Sequence, residues 1–232
     1  MFFDSTYLLC VALPSMILMG LTSWYVKSAY AKWSQVRAGS GLTGAQAAQR
    51  LISTGGLYGV QIQGVGGNLT DYYDPRNKTL NLSQGVANVA SVASVAIAAH
   101  ELGHAMQDAE EYFPLKFRAA LVPIVNIGST LGWILIMAGL FLHFTQLAWL
   151  GVAVFAGGAV FALATLPVEL NASARAKELL SRTGIIQTDD ERRGVNAVLN
   201  AAALTYVAGL LTAILQLLYY VSLVGGFGRR RD

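Results

Sequence analysis

The chain is short of charge. Of its 232 residues only 12% are Asp, Glu, Lys or Arg, while 54% are apolar and the mean hydropathy is +0.49. An ordinary soluble domain carries about 25% charged residues, so the deficit excludes a disordered chain, a coiled coil and a domain held to nucleic acid by basic patches. Cysteine is nearly absent too. Cys10 alone excludes an internal disulfide framework and a metal site built from thiolates. The net charge of +3 is too mild to call for an acidic partner. There is no internal repeat and no low-complexity tract beyond a richness in alanine. With three histidines in the chain, their positions carry weight.

What is present is apolar sequence in long runs. Residues 7–26, 119–142, 147–168 and 200–224 contain no Asp, Glu, Lys or Arg. Each is long enough to cross the hydrocarbon core as a helix, which takes about 20 residues. A buried helix of a soluble protein rarely stays apolar all round at such length. Tyr7, Trp24, Tyr25, Trp149, Tyr219 and Tyr220 lie near segment ends, where amphipathic rings favour the bilayer interface. These runs predict a mainly α, polytopic membrane protein with about four transmembrane helices. The first run reads as an uncleaved anchor rather than a signal peptide, because Asp4 and no Lys or Arg precedes it. The residues before Cys10 do not form a lipobox, so Cys10 reads as a packed thiol.

Every charged residue except Asp4, Arg229-Arg230-Arg231 and Asp232 falls in two polar stretches, 27–118 and 169–199. Four spans put these stretches on one side of the membrane, and their wealth of Lys and Arg predicts that side to be cytoplasmic. The C-terminal arginines would then lie outside, a conflict that disappears if 200–224 is a re-entrant hairpin instead of a fourth span.

Within the first polar stretch Thr43 reads as the N-cap of a helix over 45–53, ended by Gly55-Gly56. Residues 60–63, 69–73 and 78–82 read as three strands of an antiparallel sheet, the last two joined by the turn Asp74-Pro75-Arg76-Asn77. Ser83 reads as the cap of one long helix reaching about Ala109. That helix contains His100-Glu101-Leu102-Gly103-His104. Positions i and i+4 share a helix face, so both imidazoles can reach one metal ion while Glu101 serves as general base.

A catalytic zinc takes three protein ligands and keeps one position open. His143 comes one span after His104 and is therefore placed across the membrane, as an interfacial residue in a tight turn. Glu169 begins the next polar stretch on the correct side and would complete a site of two histidines and one glutamate. Glu178 and the run Asp189-Asp190-Glu191 are its rivals, and a helix N-terminal acid is its plain structural reading. Ser173, four residues after Glu169, shares its helix face.

The stretches 69–83 (LTDYYDPRNKTLNLS), 94–107 (SVAIAAHELGHAMQ), 113–129 (FPLKFRAALVPIVNIGS), 166–180 (LPVELNASARAKELL) and 198–208 (VLNAAALTYVA) are spread over most of the chain beyond residue 40. With them the chain resembles the bacterial neutral zinc metallopeptidases, a family of polytopic membrane proteins. It is more distantly similar to the heat-shock and prenyl-protein-processing membrane metalloproteases. The resemblance implies a small α+β zincin-like domain, one Zn2+ per chain held by His100, His104 and Glu169, and Glu101 as catalytic base. Tyr72 stands where the family's strand motif usually has His, and Asn171 and Asn200 stand where Asp is common.

The expectation that follows is a multi-pass zinc endopeptidase of the cell membrane, with its catalytic side in the cytoplasm. Its substrate is a protein or peptide, expected to be membrane-associated, lying along an exposed strand edge for which 78–82 is the candidate. Tyr72 and Tyr206 are the candidates for stabilising an oxyanion. The competing reading is a non-catalytic membrane scaffold that keeps a zinc. A transporter is disfavoured by the lack of charge within the spans.

Overall fold

The computed structural model describes residues 5–228; Asp4 and Arg229-Arg230-Arg231, which enter the anchor and orientation arguments, lie outside the described residues. Among the described residues four helices are long and apolar enough to cross a membrane, and the polytopic, mainly α architecture holds. The first is built from α1 (Ser5–Tyr7), a π-helical turn at Leu8–Ala12 and α2 (Leu13–Ser34). After it come α3 (Gly44–Thr54), β1 (Gln61–Val65), β2 (Tyr72–Asp74), β3 (Thr79–Ser83), α4 (Gln84–Ala87) and α5 (Val92–Ala109). The remaining helices are α6 (Phe113–Phe141), α7 (Thr145–Phe155), α8 (Gly157–Arg182) and α9 (Asp189–Gly228).

The chain divides into two compact units. The apolar unit takes the described residues up to Leu21, Lys116–Pro167 and the described residues from Thr205 onward. Its helices turn large side chains such as Met16, Ile127 and Leu163 outward, a surface that is stable only against lipid or another apolar partner. α6 and α7 approach backbone to backbone. A Cβ on Gly139 would stand 2.3 Å from the Ala148 nitrogen, and one on Gly151 would stand 2.5 Å from the Ile136 nitrogen. Where lipid supplies no hydrophobic drive between helices, such close approach of small residues holds them together. Cys10 is exposed on the first of these helices, not packed. Residues 200–224 lie inside the uninterrupted helix α9, so the chain makes no hairpin turn there.

The polar unit, Thr22–Leu115 and Val168–Leu204, has its own apolar core. α3 is opened by a capping box: Thr43 Oγ1 accepts from the Gln46 amide while the Gln46 side chain accepts from the Thr43 amide. Its Ala47, Ala48, Leu51 and Ile52 face α5 and the sheet from one side, the spacing of a helix with a single buried stripe.

The sheet corrects the expected antiparallel arrangement. Its order is β1-β3-β2, with β1 parallel to β3 and β2 antiparallel to it. The connection from β1 passes the end of β3, where Asp71 accepts hydrogen bonds from the Ser83 amide and hydroxyl, so β2 returns on the far side. β3 is thus the central strand and buried throughout, not the open edge expected for 78–82. The open edges belong to β1 and β2.

The single long helix expected from Ser83 is also two. The Ser83 hydroxyl serves Asp71 instead of capping, and α4 ends at Ala87. The backbone then turns aside to pair with the segment after α2: Ala38 N–H donates to Ala90 C=O and Val92 N–H to Val36 C=O. Ser91 Oγ caps α5 by accepting from the Ser94 amide.

A candidate metal centre between α5 and α8

α5 and α8 touch at backbone distance. A Cβ on Gly103 would lie 2.4 Å from the Ala172 carbonyl oxygen, so glycine at the fourth position of the histidine motif is required by the packing. Glu169 is therefore carried to the histidines from the middle of α8, not from a helix N-terminus, and it is 2% exposed. Pro167, two residues earlier, sits inside the same helix.

Glu169 Oε2 lies 3.4 Å from His100 Nε2 and 3.4 Å from His104 Nε2. These three residues offer ligand atoms that all lie within 4.8 Å of one another. A direct N–H···O bond is about 2.9 Å long. Two atoms bound tetrahedrally at about 2.0–2.1 Å to one ion are about 3.4 Å apart. The observed separations match the second geometry. The imidazoles meet edge to face, with ring centroids 4.9 Å apart and planes at 84°, so both Nε2 lone pairs converge without the rings clashing.

The other ring nitrogens are occupied. His104 Nδ1 lies 3.0 Å from Gln107 Oε1, and His100 Nδ1 lies 3.2 Å from the Ser173 hydroxyl. When Nδ1–H donates to these oxygens, Nε2 is left as the lone pair facing the centre, the arrangement a metal-bound histidine needs. Two imidazole nitrogens and a carboxylate oxygen form a donor set suited to zinc. By donor type, spacing and tautomer, the residues present fit the ion.

Glu101 stands beside this cluster. Its Oε2 accepts the Tyr73 backbone N–H of β2 at 3.1 Å. Burial pushes its carboxyl above the ordinary carboxylate range; His100 and His104 pull it down, while Glu169 and Asp71 push it up. Burial also disfavours the charged form of His104, but Glu169, Glu101 and Gln107 outweigh it and raise the ring's affinity for a proton. Tyr73 binds β2 to α5 a second time, since its O–H donates to Asp108 Oδ2 at 2.7 Å.

The rival acids are engaged elsewhere. Glu178 pairs with Arg182, and Asp189 and Asp190 pair with Arg192 and Arg193 on the surface. Glu191 is buried and accepts from the amides of Gly39, Gln187 and Thr188, closing the start of α9. His143 occupies the turn between α6 and α7 with φ 57°, in the apolar unit. Asn200 accepts from Lys177 rather than meeting a histidine. Tyr72 is half exposed on β2.

Gln107, which faces His104, is a residue that the sequence reading passes over. Its signal is its position, three residues after His104 on the same face of the helix.

Residues 7–225 match the family described as "Putative neutral zinc metallopeptidase". The chain belongs to that family. The chain is also similar to the "Putative membrane protease YugP" of Bacillus subtilis (strain 168), at 43% identity over 206 residues, which cover 88% of this chain and 91% of the relative. No solved structure matches the chain. The family resemblance drawn from the motif stretches is thereby shown, and family membership together with the four apolar helices makes this a membrane protein.

Proposed function

We propose that the protein is an integral-membrane zinc endopeptidase. The observation that carries this reading is the convergence of His100 Nε2, His104 Nε2 and Glu169 Oε2, with the Glu101 carboxylate alongside. His100, His104 and Glu169 would hold one zinc ion per chain. Bound there, zinc supplies Lewis acidity, polarising a scissile carbonyl and acidifying water.

The remaining chemistry belongs to the chain. Glu101 removes a proton from the attacking water and returns it to the leaving amine, a task helped by a carboxyl whose proton affinity is already raised. The Tyr73 amide keeps that carboxylate turned toward the histidines. Gln107 and Ser173 hold the two rings in register.

Substrate lies extended along the outer edge of β2. In an antiparallel pair the N–H and C=O of one residue point to the same side. The Tyr73 N–H points away from β3 to Glu101, so the Tyr73 C=O faces the same outer side and can receive a substrate N–H beside the catalytic base. A chain added there by β-augmentation would present its carbonyls to the site in sequence. The apolar helices recommend membrane or membrane-proximal proteins as substrates. The basic residues of 27–118 and 169–199 recommend the cytoplasm as the catalytic side.

The test is Glu101→Gln in the purified, lipid-reconstituted protein. Zinc content stays near one per chain, while cleavage of a reconstituted membrane protein falls by at least about 100-fold, the lower range for loss of a general base. Wild-type turnover in the variant would remove Glu101 from that role. Bound zinc with no Glu101-dependent turnover of any membrane substrate would favour the scaffold reading instead.

A further inference from the structure

The contacts around Gln107 extend well past the metal cluster, and each end of the chain they form is chemically fixed. Gln107 is fully buried. Its Nε2 donates to the Val168 carbonyl at 2.8 Å and to Asn171 Oδ1 at 2.9 Å, while its Oε1 faces His104 Nδ1 at 3.0 Å. Asn171 Oδ1 also accepts from Arg175 Nε at 2.7 Å. The two guanidinium NH groups of Arg175 donate to the two carboxylate oxygens of Glu110, both at 2.7 Å.

A backbone carbonyl can only accept and a guanidinium can only donate. Val168 therefore fixes the nitrogen side of the Gln107 amide, and Arg175 fixes the oxygen side of the Asn171 amide. Neither amide can flip without placing like groups face to face. With both amides fixed, Gln107 Oε1 must face His104, so the ring proton resides on Nδ1 and Nε2 is free. The bidentate Arg175–Glu110 pair, one of the stronger hydrogen-bonded arrangements available to side chains, anchors the outer end on α8 and just after α5.

We propose that Asn171 and Arg175, backed by Glu110, are positioning residues for the metal ligand His104, acting through Gln107. This inference rests on the metal-centre reading but not on the reaction. It also accounts for asparagine at 171. That position needs an acceptor for two donors, which Asn or Asp can supply, whereas position 107 needs a donor for two acceptors, which only Gln supplies.

The test is zinc affinity, read by chelator competition in the full-length protein. Asn171→Asp, nearly isosteric and still accepting from Gln107 and Arg175, keeps zinc affinity within a few-fold of wild type. Gln107→Met, of similar length and volume, takes away both the acceptor at His104 Nδ1 and the donor to Val168 and Asn171 and weakens zinc by about 10–100-fold, the usual effect of losing a ligand's supporting bond. Asn171→Leu, at a half-buried position on α8, removes the acceptor for Gln107 and Arg175, also weakens zinc, and keeps the comparison alive if Gln107→Met does not fold. Zinc affinity in Gln107→Met or Asn171→Leu equal to that of Asn171→Asp overturns the positioning role. A wild-type chain that binds no zinc overturns this inference together with the metal centre. Loss of Glu101-dependent cleavage with the affinity pattern intact leaves the positioning role standing and removes only the protease.

Discussion

Glu101 and His104 owe their proton affinities to the same crowding, and the consequence is open to measurement. In the metal-free protein the carboxylates around His104 raise its pKa against the opposing pull of burial. Zinc needs the neutral ring, so proton and metal compete for Nε2. Because the shift is upward, competition begins on the alkaline side of the ordinary histidine value of about 6.5. Apparent zinc affinity is expected to fall steadily as pH drops from about 8 toward about 6, and Glu101→Gln, which removes one of the raising charges, moves the fall to lower pH. Chelator competition at several pH values reads both; a flat response above the ordinary histidine value in the wild type would contradict the sign. Gly103 gives a second residue-scale expectation. Adding a methyl at 2.4 Å from the Ala172 oxygen forces α8 away, an overpacking cost of about 1–3 kcal/mol. Gly103→Ala should lower the unfolding midpoint and weaken zinc binding together, because Glu169 rides on the displaced helix.

Among the elements, α5 and α8 are legible in the sequence to different degrees. The histidine spacing alone puts both rings on one face of α5, since the period of the helix is a local property. The break before α5 has only a small local signal, since Asn88, Val89 and Ser91 are weak helix formers set between alanine-rich stretches, and the pairing of Ala90 and Val92 with Ala38 and Val36 makes the break. The strand order is hidden for a related reason. Alternation marks a strand but says nothing of its neighbours, and the parallel partner of β3 is determined by a connection that Asp71 pins to Ser83. The close contact of α6 and α7 gives the element-scale prediction. Gly139→Leu has no room beside the Ala148 backbone and should separate the two helices. A lower detergent-denaturation midpoint for this variant, with zinc affinity unchanged, is the expected result.

For the whole molecule, the partition of charge is the governing fact. Among the described residues Lys116 and Arg118 are the charged residues of the apolar unit; the rest belong to the polar unit with the candidate metal centre. If the positive-inside argument holds, the polar unit faces the cytoplasm. Tyr58, 81% exposed in the loop before β1, is a convenient reporter of side. In a Cys10→Ser background, Tyr58→Cys should react with a membrane-impermeant thiol reagent only after the cells are opened. Labelling in intact cells would reverse the orientation.

By itself the sequence determined the membrane class, the four apolar runs, the two histidines on one helix face and Glu169 as a candidate among rivals, because each depends on local composition, on helical period or on the order of the runs along the chain. Only the tertiary structure decided which acid meets the histidines, which strand forms an open edge, and that Gln107 faces His104. Those outcomes turn on the approach of α5 to α8 and on donor–acceptor pairings between residues far apart in the chain, such as Gln107 with Val168. Such pairings leave no periodic trace along the chain, because their partners are chosen by packing in space and not by spacing in sequence.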